Sequence, residues 1–188
     1  MSERNTVLRS IHDLGLAAWF GGSLMGAIGL NGAAEQQGET ELTTARIASS
    51  GWDKWTPINV VAIGANLIGG TGLLAANSTR VKHQQGVAAS TVAKALLTGA
   101  GIAATAYAGL LGKKVKLASS SDPHDADKAG KIPIELRQAQ KHLTLVQWAV
   151  PVLTAGIVAI NALHGEQQRP SQQAKGMLKR AAHGTLHT

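Results

Sequence analysis

This 188-residue chain has no cysteine, one phenylalanine and one tyrosine. Without thiols it can build neither a disulfide framework nor a thiolate metal site. With so few aromatic rings it lacks the stacking platform that holds single-stranded nucleic acid, so its net charge of +7 does not point to that partner. The standard enzyme signatures are missing as well: there is no Walker loop, no GxGxxG after a strand, no HExxH, no GxSxG and no CxxC. Asp122, His124, Asp125 and Asp127 lie close together, but they lack the glycine and the final glutamate of a calcium loop and read as a solvated turn. These absences lead to the expectation of a non-enzymatic chain with no cofactor.

Charge is scarce and segregated. Asp, Glu, Lys and Arg make up 15% of the residues, and four stretches contain none: Leu14–Ala34, Thr56–Thr79, Ala95–Gly112 and His142–Gly165. They run for 21, 24, 18 and 24 residues, and a hydrocarbon core of about 30 Å takes ~20 helical residues to cross. A soluble Ala/Gly-rich bundle would suit the mean hydropathy of +0.02. An amphipathic soluble helix needs a polar face every two turns or so, however, and Thr56–Thr79 and His142–Gly165 offer none. Backbone in lipid must satisfy its own hydrogen bonds, and runs without alternating polarity do so as helices. The expected fold is therefore an all-α, four-transmembrane-helix bundle in one domain over 1–165, with spans near 12–34, 56–79, 90–112 and 142–165. A flexible basic tail is expected over 166–188. Arg4 and Arg9 before an apolar stretch, followed by Asn31-Gly32-Ala33-Ala34, mimic a secretory signal. The apolar stretch exceeds a usual signal core, and an uncleaved first helix is the expectation.

Small residues recur every fourth position in two spans: Ala18, Gly22 and Gly26 in the first, and Ala100, Ala104, Ala108 and Gly112 in the third. Such stripes let helices approach closely, which drives association in lipid, and both are expected to be helix-packing faces. Ser10 is a candidate N-cap of the first helix. Asn31, Asn66 and Asn161 should bond across helices, with Asn66 near mid-membrane. Lys94, just before the third charge-free run, is expected to snorkel to the interface. Pro151 should bend the fourth helix near Gln147. Four spans place both termini on one side, and the 35–55 and 113–141 connections on the other. Within 113–141, Ile132–Lys141 should run on into the fourth helix. Trp52, Trp55 and Trp148 then fall near the connection-side interface and Trp19 nearer the other, as anchors. Arg4 and Arg9 precede the first span, and no base follows until Arg46, which leans toward cytoplasmic termini in a multi-pass cell-membrane protein. Bases flanking apolar spans suit membrane lipids with anionic headgroups.

One local pattern carries a resemblance. His12-Asp13-Leu14-Gly15-Leu16-Ala17-Ala18-Trp19-Phe20-Gly21-Gly22 resembles the His-x6-Trp-x-Gly opening of small bacterial membrane families. These include the four-helix family of transmembrane-protein-205-like proteins, the copper-resistance D family and a haem-binding membrane oxidase of the porphyrin pathway. In the haem and copper cases the resemblance implies that His12 is the ligand. His142 opens the fourth span, antiparallel to the first, so it lies a membrane thickness away and cannot share a metal whose ligand bonds are ~2 Å. His12, His83 and His164 are the histidines that can gather on one side, a set sufficient for Cu or Zn. As Asp13 points about 100° away from its neighbour on a helix, His12 is expected instead to be an interfacial cap. The expected function is that of a non-enzymatic membrane protein acting through helix contacts, as a homo-oligomer or as an accessory subunit of a larger membrane complex. The alternatives are a His-dependent haem or copper protein, and a small transporter whose polar path would use Asn66 and Lys94.

Overall fold

The computed structural model describes residues 5–76 and 85–167, with side chains described except at 85–88 and 164–167. Each charge-free run lies inside one long helix, as far as it falls within these residues. Helix α1 spans Thr6–Gln37, α2 Glu41–Ala76, α3 Gln85–Ser119 and α5 Leu136–Gln167, with a short α4 at Pro123–Gly130. Among the described residues there is no strand. The four long helices are each long and apolar enough to cross a membrane.

The helices run past the charge-free stretches. The 36 residues of α2 reach about 54 Å, nearly twice a ~30 Å hydrocarbon core. Glu41–Trp55, expected as part of an aqueous connection, is helical: it has no proline, and Leu30 of α1 packs against its one glycine, Gly51. The true link between α1 and α2 is Gly38–Thr40, and the Thr40 and Thr43 hydroxyls cap each other's backbone N–H at 2.9 and 3.2 Å. Asn5, not Ser10, precedes the first turn of α1. Pro151 lies within the continuous α5, which begins at Leu136 rather than Ile132. The expected tail, 166–188, starts inside α5, which continues to Gln167; its remainder, 168–188, lies outside the described residues.

Helix α1 packs on α2 and α5, and α3 packs on the same two, so α1 and α3 are diagonal in a four-helix ring. Helices α1 and α2 run antiparallel with their backbones in close approach. A Cβ on Gly15 would strike the Ala62 carbonyl and the Asn66 nitrogen, and one on Gly69 would strike the His12 nitrogen and Leu8 carbonyl. Further along, the Trp55 ring fills the space over Gly22 and the Trp52 ring that over Gly26. Trp19 is wholly buried with Leu16, Ala62, Val150 and Ile157. It crosses the bundle centre to α3, where its Nε1–H donates to Thr105 Oγ1 at 3.2 Å beside Gly101. Trp19 is thus a core residue and not an interfacial anchor, because the glycine opposite leaves room for an indole.

A second cluster, Leu111, Val115 and Ala139, closes the connection end. Within the 113–141 connection, the centre expected as a solvated turn is largely exposed but runs into the short helix α4. Asp122 caps α4, accepting from the His124 N–H at 2.9 Å, with Pro123 in its first turn. The buried Lys114 ammonium donates to the Ala129 carbonyl at 2.5 Å, at the C-terminal end of α4, where a cation complements the helix dipole. Arg46 donates to the Ser119 carbonyl at 2.5 Å, and Lys116 pairs with Asp53 at 2.6 Å.

Candidate functional site

His12 is the polar residue around which the terminal end of the bundle is built. Since α1 starts at Thr6, His12 falls in its second turn and on its inner face, 4% exposed. Gly69 and Gly70 of α2 clear space for it: a Cβ on Gly70 would lie 3.2 Å from Nδ1. Nδ1 sits 2.8 Å from the backbone carbonyl of Asn66. A carbonyl only accepts, so Nδ1 carries the proton. The Asn66 amide, 3.0 Å from Nδ1, therefore directs its hydrogen to the His12 backbone carbonyl at 3.1 Å. The pair ties α1 to α2 by two bonds between residues 54 apart. In the neutral ring Nε2 is then the lone-pair nitrogen, and it is buried with no partner among the described residues. The expected interfacial cap is corrected on this point: His12 bonds to backbone, but inside the bundle and to another helix.

Lys94 of α3 is level with this pair. Trp19 meets Gly101 across the centre, α1 and α3 run parallel, and His12 and Lys94 each stand seven residues before those two contacts. Lys94 and Asp13 lie within electrostatic reach of His12, and Arg9 within reach of Lys94. Lys94 is half-buried, and Arg9 and Asp13 are exposed. Among the described residues, no ion pair involves these three side chains.

A second polar chain lies lower. Trp52 Nε1–H donates to Asn31 Oδ1 at 2.9 Å, and Asn31 Nδ2–H donates to Gln147 Oε1 at 2.8 Å, joining α2, α1 and α5. Asn31 follows a π-helical turn at Gly26–Leu30, whose extra residue rotates the helix face that follows. Trp55 Nε1 and Asn59 Oδ1 are buried without partners among the described residues. At the far end, His142 Nδ1 lies 2.8 Å from the Tyr107 hydroxyl, well away from His12.

The other candidates are placed as follows. Ala18 and Ala104 are half-buried against the central cluster; Gly22 and Gly26 receive tryptophan rings. Ala100 is exposed, Ala108 is half-buried, and Gly112 is half-buried with open space where a Cβ would stand. His83 and the side chain of His164 lie outside the described residues. Among those described, no three His, Asp or Glu side chains gather to hold a metal ion. His12 alone meets one requirement of a ligand, a carbonyl-held N–H opposite a free nitrogen, whereas the nearby Lys94 ammonium repels a cation. Missed from sequence were the His12–Asn66 bonds, the close approach of Gly15 to Ala62 and Asn66 and of Gly69 to Leu8 and His12, and the burial of Lys114. All arise between distant segments and leave no local spacing to detect. Comparison with protein-family models, with curated proteins and with solved structures found no match to this chain.

Proposed function

We propose that the protein is a multi-pass membrane protein with cytoplasmic termini. It acts through helix–helix contacts, as a homo-oligomer or as an accessory subunit of a larger membrane complex, among lipids whose anionic headgroups meet its flanking bases. The observation that carries this reading is the outer face of α3. Only 11% of its most apolar stretch is buried within the chain, and Gly99, Ala100 and Ala103 are exposed along it. Apolar burial alone drives little helix association in lipid, and small residues that admit a close neighbour drive more. A bulky residue on this face blocks such a neighbour without touching the four-helix core.

The test is the mass of the purified protein in mild detergent by light scattering, for wild type, Ala100→Leu and Ala103→Leu. The expected result is a wild-type assembly larger than one chain, and smaller particles for both variants. A wild-type protein that is monomeric and co-purifies with no subunit overturns the reading. So does a haem absorption band or stoichiometric copper that disappears in His12→Ala with the fold retained, which promotes the His-dependent alternative.

A further inference from the structure

The unpartnered nitrogen of His12 and the ammonium of Lys94 form a matched pair of opposite hydrogen-bonding sense. The Asn66 carbonyl fixes the proton on Nδ1, so the neutral ring presents Nε2 as an acceptor. Nε2 lies on the edge of the ring turned away from that carbonyl, and it is buried in a residue 4% exposed. Lys94, level with it on the parallel helix α3, offers three N–H donors and no acceptor. The two groups are not bonded to each other. An acceptor left buried without a donor is costly, and so is an ammonium at membrane depth without an anion.

Asp13 does not resolve both needs. It is exposed on α1, and a carboxylate offers Nε2 no hydrogen. Arg9, one turn earlier on α1, adds a second positive charge at the rim. The cluster of Arg9, Asp13 and Lys94 thus carries one surplus positive charge beside an unfilled acceptor.

A metal cation fits the nitrogen but is repelled by the ammonium. A halide or sulfate fits the ammonium but brings no hydrogen to Nε2. An oxyanion that keeps an O–H satisfies both groups: its charged oxygen accepts from Lys94, and its hydroxyl donates to Nε2. We propose that His12 and Lys94 form a binding site for a hydrogen-bearing phosphate group, either free hydrogen phosphate or the phosphomonoester headgroup of a lipid. Arg9 steers the anion from the rim, and Asp13 weakens binding by like-charge repulsion. The site rests on the four-helix fold and not on the oligomer reading, so a monomeric protein with an intact site leaves it standing.

The test uses the purified full chain in nanodiscs of zwitterionic lipid, titrated with inorganic phosphate and separately with sulfate, with thermal stability as the readout. Phosphate should raise the melting temperature in a saturable manner and sulfate should not. Lys94→Gln, which breaks no side-chain bond among the described residues, should weaken the phosphate response by about tenfold or more through loss of a charge-assisted bond. Lys94→Arg should retain the response, and Asp13→Asn should shift it to lower phosphate. If inorganic phosphate has no effect, nanodiscs containing phosphatidic acid are compared with nanodiscs containing phosphatidylethanol, an anionic phosphodiester whose headgroup carries no hydroxyl. Stabilisation by the first alone assigns the group to a lipid headgroup. Equal responses to phosphate and sulfate, equal responses to the two lipids, no response to any of them, or a Lys94→Gln protein that responds as wild type would each overturn the proposal.

Discussion

Two glycines of α2, five residues apart, should respond in opposite directions to the same added methyl group. Gly64 has nothing within 4 Å of where its Cβ would stand, whereas a Cβ on Gly69 would press into the His12 nitrogen and the Leu8 carbonyl. Alanine in a helix interior is favoured over glycine by roughly 0.5–1 kcal/mol. At Gly64 that gain is unopposed, so Gly64→Ala should match or exceed wild-type stability. At Gly69 the obstruction is backbone, which cannot swing aside, so α1 and α2 must separate. Overpacking of that kind costs about 1–3 kcal/mol, and separation also stretches the two His12–Asn66 bonds. Gly69→Ala should therefore fall below Gly64→Ala by about 2 kcal/mol, taking the propensity gain as common to both. Reversible SDS unfolding in mild detergent measures the difference, with the fluorescence of the buried Trp19 as one reporter of the core. Gly69→Ala as stable as Gly64→Ala would refute the close α1–α2 approach.

Ala104 packs half-buried against the central cluster, so Ala104→Leu should lower stability by about 1–3 kcal/mol; unchanged melting temperature and particle size would mean that its stripe faces lipid. The Lys114 ammonium holds the Ala129 and Ile132 carbonyls at 2.5 and 3.3 Å, so Lys114→Met should speed proteolytic cleavage within 120–135, and an unchanged cleavage rate would contradict that role. Asp125 in α4 titrates below its ordinary value of 3.8, through a hydrogen bond from Ser120 first and from Lys128 next. A lowered folded-state value contributes stability above pH 3.8 that is lost as pH falls through the lower value. Amide protection factors across 123–130, which remove the intrinsic pH dependence of exchange, should therefore fall on acidification below that point, and Asp125→Asn should flatten the response.

The sequence made the four long helices legible because absence of charge over 18 or more residues is a local property. Helix ends were less legible: Glu41–Trp55 carries charge and reads as a connection, yet its residues continue α2 outward from the apolar stretch. Spacing every fourth residue marked a helix face but not the direction in which it turns. Gly22 and Gly26 face tryptophans and Ala104 faces the core, while Ala100 on the same stripe faces outward. The site was half legible. His12, Asn66 and Lys94 stood out singly as polar residues in or beside apolar runs. That His12 and Asn66 bond to each other depends on the register of α1 against α2, which Gly15 and Gly69 set by lacking side chains. Trp19 was misplaced for a related reason: an aromatic near a span end reads as an anchor until the glycine facing it, Gly101, is known.

The central claim is that the outward apolar faces of the four long helices meet lipid. The absence of native cysteine allows a direct test with single introduced thiols, Val61→Cys on an outward face that is 71% exposed in the isolated chain and Ser121→Cys on the exposed connection. In sealed membranes opened to both sides by freeze–thaw, a charged maleimide should label Ser121→Cys rapidly. Val61→Cys should stay unlabelled until the membrane is dissolved and the protein unfolded in SDS. Equal labelling of the two positions in intact membranes, or recovery of the protein in the soluble fraction, would contradict the account.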